Sequence, residues 1–354
     1  MKKKARIVIG ASYGDEGKGT IVARYTKSGN NVLNVLTNGG AQRGHSILTE
    51  QGVSITSRHF GSGTYFGADN YYSSFFILNP MQFEVEYKSL VVKPNKIYRD
   101  FLCRWSTPYD SMANVIREAQ LGRYASCGMG IWNTIKRWTD SRTAIPFDDF
   151  IGLDDDIKSV YLAKVRSYYE KDLVIPRQWK DVWGSPGMIS AFIETCKFMH
   201  SMTIPVNGIR SLDYTDLIFE NGQGLLLTDN GKDAYDRTPS DTGAKYALSI
   251  AMESGVDDIS LHYVTRPYLT RHGDGHLEGE SDRSVISQLV NEDRTNHYNG
   301  NQGRFRYGMM DIRSLNERIT EDSRGMNDVV LEVTHCDEMD RVAEFKKEFK
   351  QVNA

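Results

Sequence analysis

Short apolar runs rich in β-branched residues recur along the chain, and each gives way to glycine or polar residues. They fall at residues 5–9, 32–36, 217–220, 259–264 and 329–334. Such runs read as buried strands of a parallel sheet whose C-terminal ends open into functional loops. The first passes through a glycine-rich turn into residues 20–26, which have the character of the opening turns of a helix. Strand, glycine loop and helix in that order predict an α/β fold. Residues 110–137 and 157–202 read as largely helical, with the Trp and Tyr side chains from Trp132 to Trp183 assigned to the core. A charged helix is predicted over 338–351. No repeat, low-complexity tract or linker divides the chain, so the prediction is a single domain over 1–354. It has a central, mostly parallel sheet, flanking helices and a helical insertion over roughly 110–202.

Composition narrows the function classes. Hydrophobic residues at 40% and charged residues at 25% of 354 are ordinary globular values. Lys+Arg 43 against Asp+Glu 46 leaves a formal charge of -3, which argues against general binding to nucleic acid or to an anionic membrane. No apolar run approaches the ~18 residues of a membrane span, and the Met-Lys-Lys-Lys start lacks the apolar stretch of a signal peptide. The cysteines Cys103, Cys127, Cys196 and Cys336 form no CxxC pair. A disulfide framework or cysteine zinc site is therefore not expected, and a reducing cytoplasm is.

The densest chemistry lies in Gly10-Ala-Ser-Tyr-Gly-Asp-Glu-Gly-Lys-Gly-Thr20. Glycines let backbone N–H groups converge on phosphate, a helix N-terminus adds positive potential, and Lys18 adds a formal charge. The spacing is not that of a Walker A loop, which would put glycine at Ser12 and Ser/Thr at Gly19. Asp15 and Glu16 would repel phosphate unless they have work of their own. Gly14-Asp-Glu-Gly-Lys-Gly19 resembles the signature of the adenylosuccinate synthetase family.

Further stretches resemble that family in order: Gly39-Gly40-Ala-Gln42-Arg-Gly44-His45-Ser46, His59-Phe-Gly-Ser62-Gly63 and Ser126-Cys-Gly-Met-Gly-Ile131. Phe219-Glu-Asn-Gly-Gln223-Gly, Tyr268-Leu-Thr-Arg-His-Gly-Asp-Gly275 and Gly303-Arg304-Phe-Arg306 complete the series. The resemblance implies a ligase with a P-loop-related fold that replaces a purine 6-oxo group by the amine of L-aspartate, after phosphorylating that oxygen with a nucleoside triphosphate. It implies Asp15 as the base for the purine N1 proton and, with the Gly44 carbonyl, as a ligand of Mg²⁺. His45 would donate to the moving phosphoryl, Lys18 would neutralise the triphosphate, and Gln223 would fix the nucleophilic oxygen. The triphosphate would be held by Gly14, Glu16, Gly17, Lys18, Gly19, Thr20, Gly44, His45 and Ser46. The purine monophosphate would meet Asp15, Gln42, Ser126, Asn221, Gln223, Thr238, His272 and Arg304, with Arg142 supplied by the other subunit of a homodimer. Gly303, Arg304 and Arg306 would take the aspartate, since paired guanidinium groups suit bidentate carboxylates. His272, Asp274 and His276 alternate like metal ligands, but the family uses this loop beside the sugar.

Two departures bear on substrate. Ordinary members select GTP with Thr-Lys-x-Asp, where this chain reads Thr334-His335-Cys-Asp337. They also continue to a Ser-Thr-Gly-Pro segment beyond the point where this sequence stops. An adenine donor, ATP or dATP, is therefore expected, with His335 and Asp337 at its base. With Gln42-Arg43 in place of Asn-Ala, the chain is most similar to the bacteriophage branch, which acts on dGMP for 2-aminoadenine DNA; its location would then be the host cytoplasm. Alternatives are an ordinary synthetase using IMP and GTP, and a non-catalytic nucleotide-binding switch, which would not need His45, Gln223, Arg304 and Arg306 together.

Overall fold

The computed structural model describes residues 2–48, 52, 54–122, 126–229, 237–290 and 303–354. Its centre is a nine-stranded, wholly parallel sheet. The strands are β1 (Lys4–Gly10), β2 (Val32–Leu36), β3 (Asp69–Tyr72), β4 (Ile97–Asp100), β5 (Ile204–Val206), β6 (Asp216–Gly224), β7 (Asp258–Thr265), β8 (Val329–Val333) and β9 (Val352–Asn353). Their spatial order is β5-β4-β3-β2-β6-β1-β7-β8-β9. The chain leaves β1 for β2 and later returns β6 between them, so the loops after β1, β2 and β6 open side by side. That switch in direction is where open α/β sheets bind ligands.

Residues 5–9 show why these strands read as unbroken apolar runs. Ala5, Ile7 and Ile9 enter the main core on one face, while Val8 packs with Ile21, Val22, Ile218 and Val264 on the other. With both faces covered, no polar alternation is left to see. The helix Lys18–Ser28 begins at Gly17, held at φ +90°.

A second core lies among the helices between β4 and β5. Where the sequence predicts long helical stretches, glycine and proline divide them. Residues 110–137 become the helices Pro108–Leu121 and Ile131–Arg137, separated at Gly122 and Gly130, both at positive φ. Residues 157–202 become Asp155–Tyr169 and Pro186–Met202 with short turns between. The fully buried pair Arg137–Asp110, 2.8 Å apart, locks the first two helices together. Arg137 also donates to the carbonyls of Trp105 and Thr143. Trp132 departs from its core assignment: it is 41% exposed, and its indole N–H donates to the carbonyl of Arg237.

At the C-terminal end the predicted helix shortens to Val342–Glu348: Asp340 accepts from the Val342 amide, and the Gln351 carbonyl accepts from the Leu331 N–H just before the edge strand β9. An antiparallel sheet of Leu269–His272, Phe305–Gly308 and Glu280–Ser281 follows β7 and carries His272 and Arg306. All four cysteines are free thiols. No helix among the described residues is long and apolar enough to cross a membrane.

Candidate active site

The loop after β1 folds around its own carboxylate. Glu16, buried, accepts from the amides of Ser12 (3.0 Å) and Gly14 (2.8 Å) and from the Lys18 ammonium (3.2 Å). A Cβ on Gly10 would sit 2.6 Å from Glu16 Oε2 and 2.8 Å from Lys18 Nζ, so the first glycine of the motif makes room for this pair. Two converging amides, an ammonium and a helix N-terminus form an anion cradle. Asp15 stands at the loop's tip with φ +60°, a strained conformation for a non-glycine residue. Its carbonyl accepts from Arg266 Nε at 2.7 Å. Among the described residues none donates to its carboxylate. The Asp15 carboxylate and the Gly44 carbonyl are hard oxygen donors, which fits Mg²⁺ retaining most of its waters.

His45 begins the hairpin His45–Leu48 with Ser54–Ser57 and points inward. Its Nδ1 lies 2.5 Å from Glu220 Oε1 and its Nε2 lies 3.2 Å from the Gly222 carbonyl. Glu220, fully buried on β6, also accepts from the Ser62 hydroxyl (2.7 Å) and the Ser62 amide (2.8 Å). Burial pushes the Glu220 carboxyl up, but the His45 and Ser62 donors and the Arg43 charge outweigh it and hold the group at about 2. Burial pulls the His45 pKa below the ordinary histidine value, with Glu220 opposing. His59 anchors the Ser62 turn as a neutral ring: its Nε2 accepts from the Asn79 amide, and burial drives its pKa to about 3.

Amide side chains gather beside this dyad. A Cβ on Gly39 (φ +77°) would lie 2.9 Å from Gln42 Nε2 and 3.1 Å from Gln223 Oε1, so the two glutamines meet over this glycine. Both polar atoms of Gln42, together with Gln223 Oε1 and Asn221 Oδ1, are buried without a partner. Buried polar groups are normally satisfied, so this concentration marks a place shaped for a polar ligand. Asn221 also donates to the carbonyls of Thr242 (3.0 Å) and Gly243 (2.7 Å). The loops are stitched together by Leu226 N–H to the Ser12 carbonyl and Gly222 N–H to Asn38 Oδ1, both at 2.9 Å.

The remaining predicted residues have local partners of their own. Ser126 accepts from Asn114 Nδ2 (2.9 Å) and the Gly128 amide (3.1 Å), and the Thr238 amide donates to the Leu227 carbonyl. The His272 ring lies 4.8 Å from that of Phe305, tilted by 57°, and leaves Nδ1 buried without a partner. Thr20, Gly44 and Asp337 are exposed, and Ser46 shares a hydrogen bond with Thr56. The Thr334 hydroxyl donates to the Glu16 carbonyl (2.7 Å) and is 2.8 Å from His335 Nδ1, so the strand expected to meet the donor base is tied to the phosphate loop. His335 shares with Asp15 a positive φ, +57°.

Arg304 is exposed beside the buried Gly303, whereas Arg306 is already engaged. Its fork meets both oxygens of Glu280 (2.8 and 2.5 Å), and its other nitrogen donates to the carbonyls of Gly273 and Gly275. Arg142 lies outside the cluster: its side chain is 71% exposed and pairs with Asp140. Motif reading passed through Glu220, Ser62 and Arg43 without giving any of them a role in the site. The last is a buried strut donating to the carbonyls of Glu220 and Phe60.

Comparison with known proteins places this architecture. The family model described as Adenylosuccinate synthetase matches residues 7–347. The adenylosuccinate synthetase of Wigglesworthia glossinidia brevipalpis is 25% identical over 296 residues, covering 78% of this chain and 65% of that protein. That of Hamiltonella defensa is 25% identical over 339 residues, covering 90% and 73%. The chain thus spans about two-thirds of the length of these relatives. Among solved structures, a fully ligated adenylosuccinate synthetase from Plasmodium falciparum aligns with TM-score 0.72 at 17% identity, covering 93% of this chain and 76% of that one. The succinoaminodeoxyadenylate synthetase of cyanophage S-2L, solved with dGMP and dATP, aligns with TM-score 0.64 at 13% identity, covering 98% and 89%. A match running from β1 to the helix Val342–Glu348, with the glycine loop, His45 and Arg304–Arg306 inside it, makes this chain a member of the adenylosuccinate synthetase family.

Proposed function

We propose that the protein is a C–N ligase that joins L-aspartate to C6 of dGMP at the expense of ATP or dATP. The observation that carries a nucleotide ligase reading is the meeting of an anion cradle, a buried histidine and unpaired buried amides at the ends of β1, β2 and β6. The order of events follows from carbonyl oxygen being a poor leaving group. Asp15 accepts the N1 proton as O6 attacks the γ-phosphorus of the donor, and the nucleoside diphosphate departs. The loop amides and Lys18 hold the donor phosphates, taking them in place of the Glu16 carboxylate. His45 donates to the transferring phosphoryl, and the Gln223 amide orients O6. The aspartate amine then attacks C6, and O6 leaves as phosphate. Arg304 holds an aspartate carboxylate, and Arg306 joins it if Glu280 gives way. Asp15 and the Gly44 carbonyl would hold Mg²⁺, which would supply charge neutralisation at the phosphates. Arg142, exposed on its loop, would serve the purine phosphate of a partner subunit in a homodimer.

His335 in place of lysine supports the choice of an adenine donor. The cyanophage enzyme, whose fold is shared over nearly the whole of both chains, binds dGMP and dATP. The second reading, IMP with GTP, is favoured by relatives that carry the ordinary synthetase name. The shared chemistry is tested with acceptor labelled by ¹⁸O at the 6-oxo position. The label should appear in inorganic phosphate; phosphate free of label would exclude a 6-phosphoryl intermediate.

A further inference from the structure

Glu220 is a fully buried carboxylate in the middle of the sheet, and three donors converge on it. Its strand pairs on both sides, with Val8 of β1 and Leu36 of β2 at this residue, so its backbone belongs to the most constrained part of the fold. Oε1 meets His45 Nδ1 and the Ser62 hydroxyl, and Oε2 takes the Ser62 amide. We propose that Glu220 is a positioning residue for the phosphoryl step: held by Ser62, it grips His45 through Nδ1 and so commits Nε2 to the transferring phosphoryl group. The proposal rests on the role given to His45 above.

The argument is one of donors and acceptors. An ionised carboxylate only accepts, so Nδ1 must carry a proton, and the ring cannot turn over without breaking that bond. Nε2 faces the Gly222 carbonyl at 3.2 Å, also an acceptor, so donation from both nitrogens requires the imidazolium, and the Glu220 carboxylate opposes the burial that would strip its charge. That long contact is one an arriving phosphoryl oxygen can replace. Ser62 spends both its amide and its hydroxyl on Glu220, which gives the Ser-Gly pair of this motif a task of its own.

Glu220→Gln keeps the shape and removes this logic. A glutamine offers one acceptor and one donor group to three donors, so either orientation sets a donor against a donor. The expected result is a fall in kcat between the ~10–100-fold typical of a lost orienting partner and the ~10⁴-fold of a wrong histidine tautomer. KM for acceptor, donor and aspartate should stay within roughly threefold, because only the transition-state contact is lost. Ser62→Ala, which removes one of the three donors, should lower kcat by a smaller factor with the same unchanged KM. A second readout is independent of substrate. Histidine-labelled, ligand-free protein should show a far-downfield Nδ1 proton that disappears in both His45→Gln and Glu220→Gln. Unchanged kcat in Glu220→Gln, or a rise in KM alone, would overturn the proposal. So would a wild-type spectrum with Nδ1 bare, which decides the matter even if the Gln variant does not fold or the substrates assigned above are wrong.

Discussion

Replacing Glu16 with alanine empties the anion cradle and should cost the ligand-free protein heavily. Lys18 is only 3% exposed, and Glu16 is the carboxylate paired with it. Leaving such an ammonium uncompensated costs about 3–5 kcal/mol. The Ser12 amide, buried, adds about 1–3 kcal/mol once its acceptor is gone, whereas Gly14, half-buried, can turn to water. Allowing for some water entry, the total is about 4–6 kcal/mol. With roughly 2.1 cal/mol/K per residue of unfolding entropy over this chain, that corresponds to a Tm about 5–8 °C lower. A non-hydrolysable donor nucleotide with Mg²⁺ offers its own oxygens to the same three donors. At 100 times Kd it returns about 2.7 kcal/mol by mass action. It should raise the Tm of the variant more than that of the wild type, in which the carboxylate must first be displaced. Thermal melts with and without nucleotide make the comparison. An unchanged Tm in the variant, or a larger nucleotide shift in the wild type, would refute the picture of Glu16 standing where phosphate binds.

Asp15→Ala and His45→Ala should each lower turnover by ~10²–10⁴-fold while circular dichroism remains native, since neither carries the core. Arg304→Leu removes a charge-assisted contact worth about 1.5–3 kcal/mol, so KM for L-aspartate should rise ~10–150-fold with that for the triphosphate nearly unchanged. Glu332, buried beneath Arg24, Tyr25 and His262, is raised by burial but held by those partners at about 2. Its folded pKa lies below its unfolded one, so its contribution is complete above about pH 4.5 and is lost as pH falls toward about 2. Glu332→Gln should therefore flatten the acid limb of a stability profile measured by urea melts in that window.

The sheet was legible in the sequence because its strands are covered on both faces, leaving continuous apolar runs such as Ile7-Val8-Ile9. The phosphate loop was legible because few other patterns place two acidic residues and a lysine among so many glycines. What escaped has a common cause. Glu220 and His45 lie 175 positions apart and become a dyad only through strand order. The same holds for Arg306, readable as a carboxylate fork but engaged by Glu280 across an antiparallel sheet. Trp132 was taken for core because aromatic spacing reports packing potential and cannot report a loop rim. The predicted long helices were cut at Gly122, Gly130, Pro176 and Pro186, where local backbone preference prevails over a helical run. The closing helix gave up its last residues to pairing with β8, a tertiary choice.

The central claim, aspartate joined to C6 of dGMP with an adenine donor, is tested most directly by a crossed incubation read by mass spectrometry. Enzyme, Mg²⁺ and L-aspartate are combined with each of IMP, GMP and dGMP, and each acceptor is paired with GTP, ATP and dATP. Unpaired polar groups on a wrong base cost about 1–3 kcal/mol each, so productive pairs should stand out by an order of magnitude or more. The account predicts a succinyl adduct of dGMP formed with ATP or dATP, with IMP reacting poorly and GTP disfavoured. A succinyl adduct from IMP with GTP, and from no other pair, would contradict it.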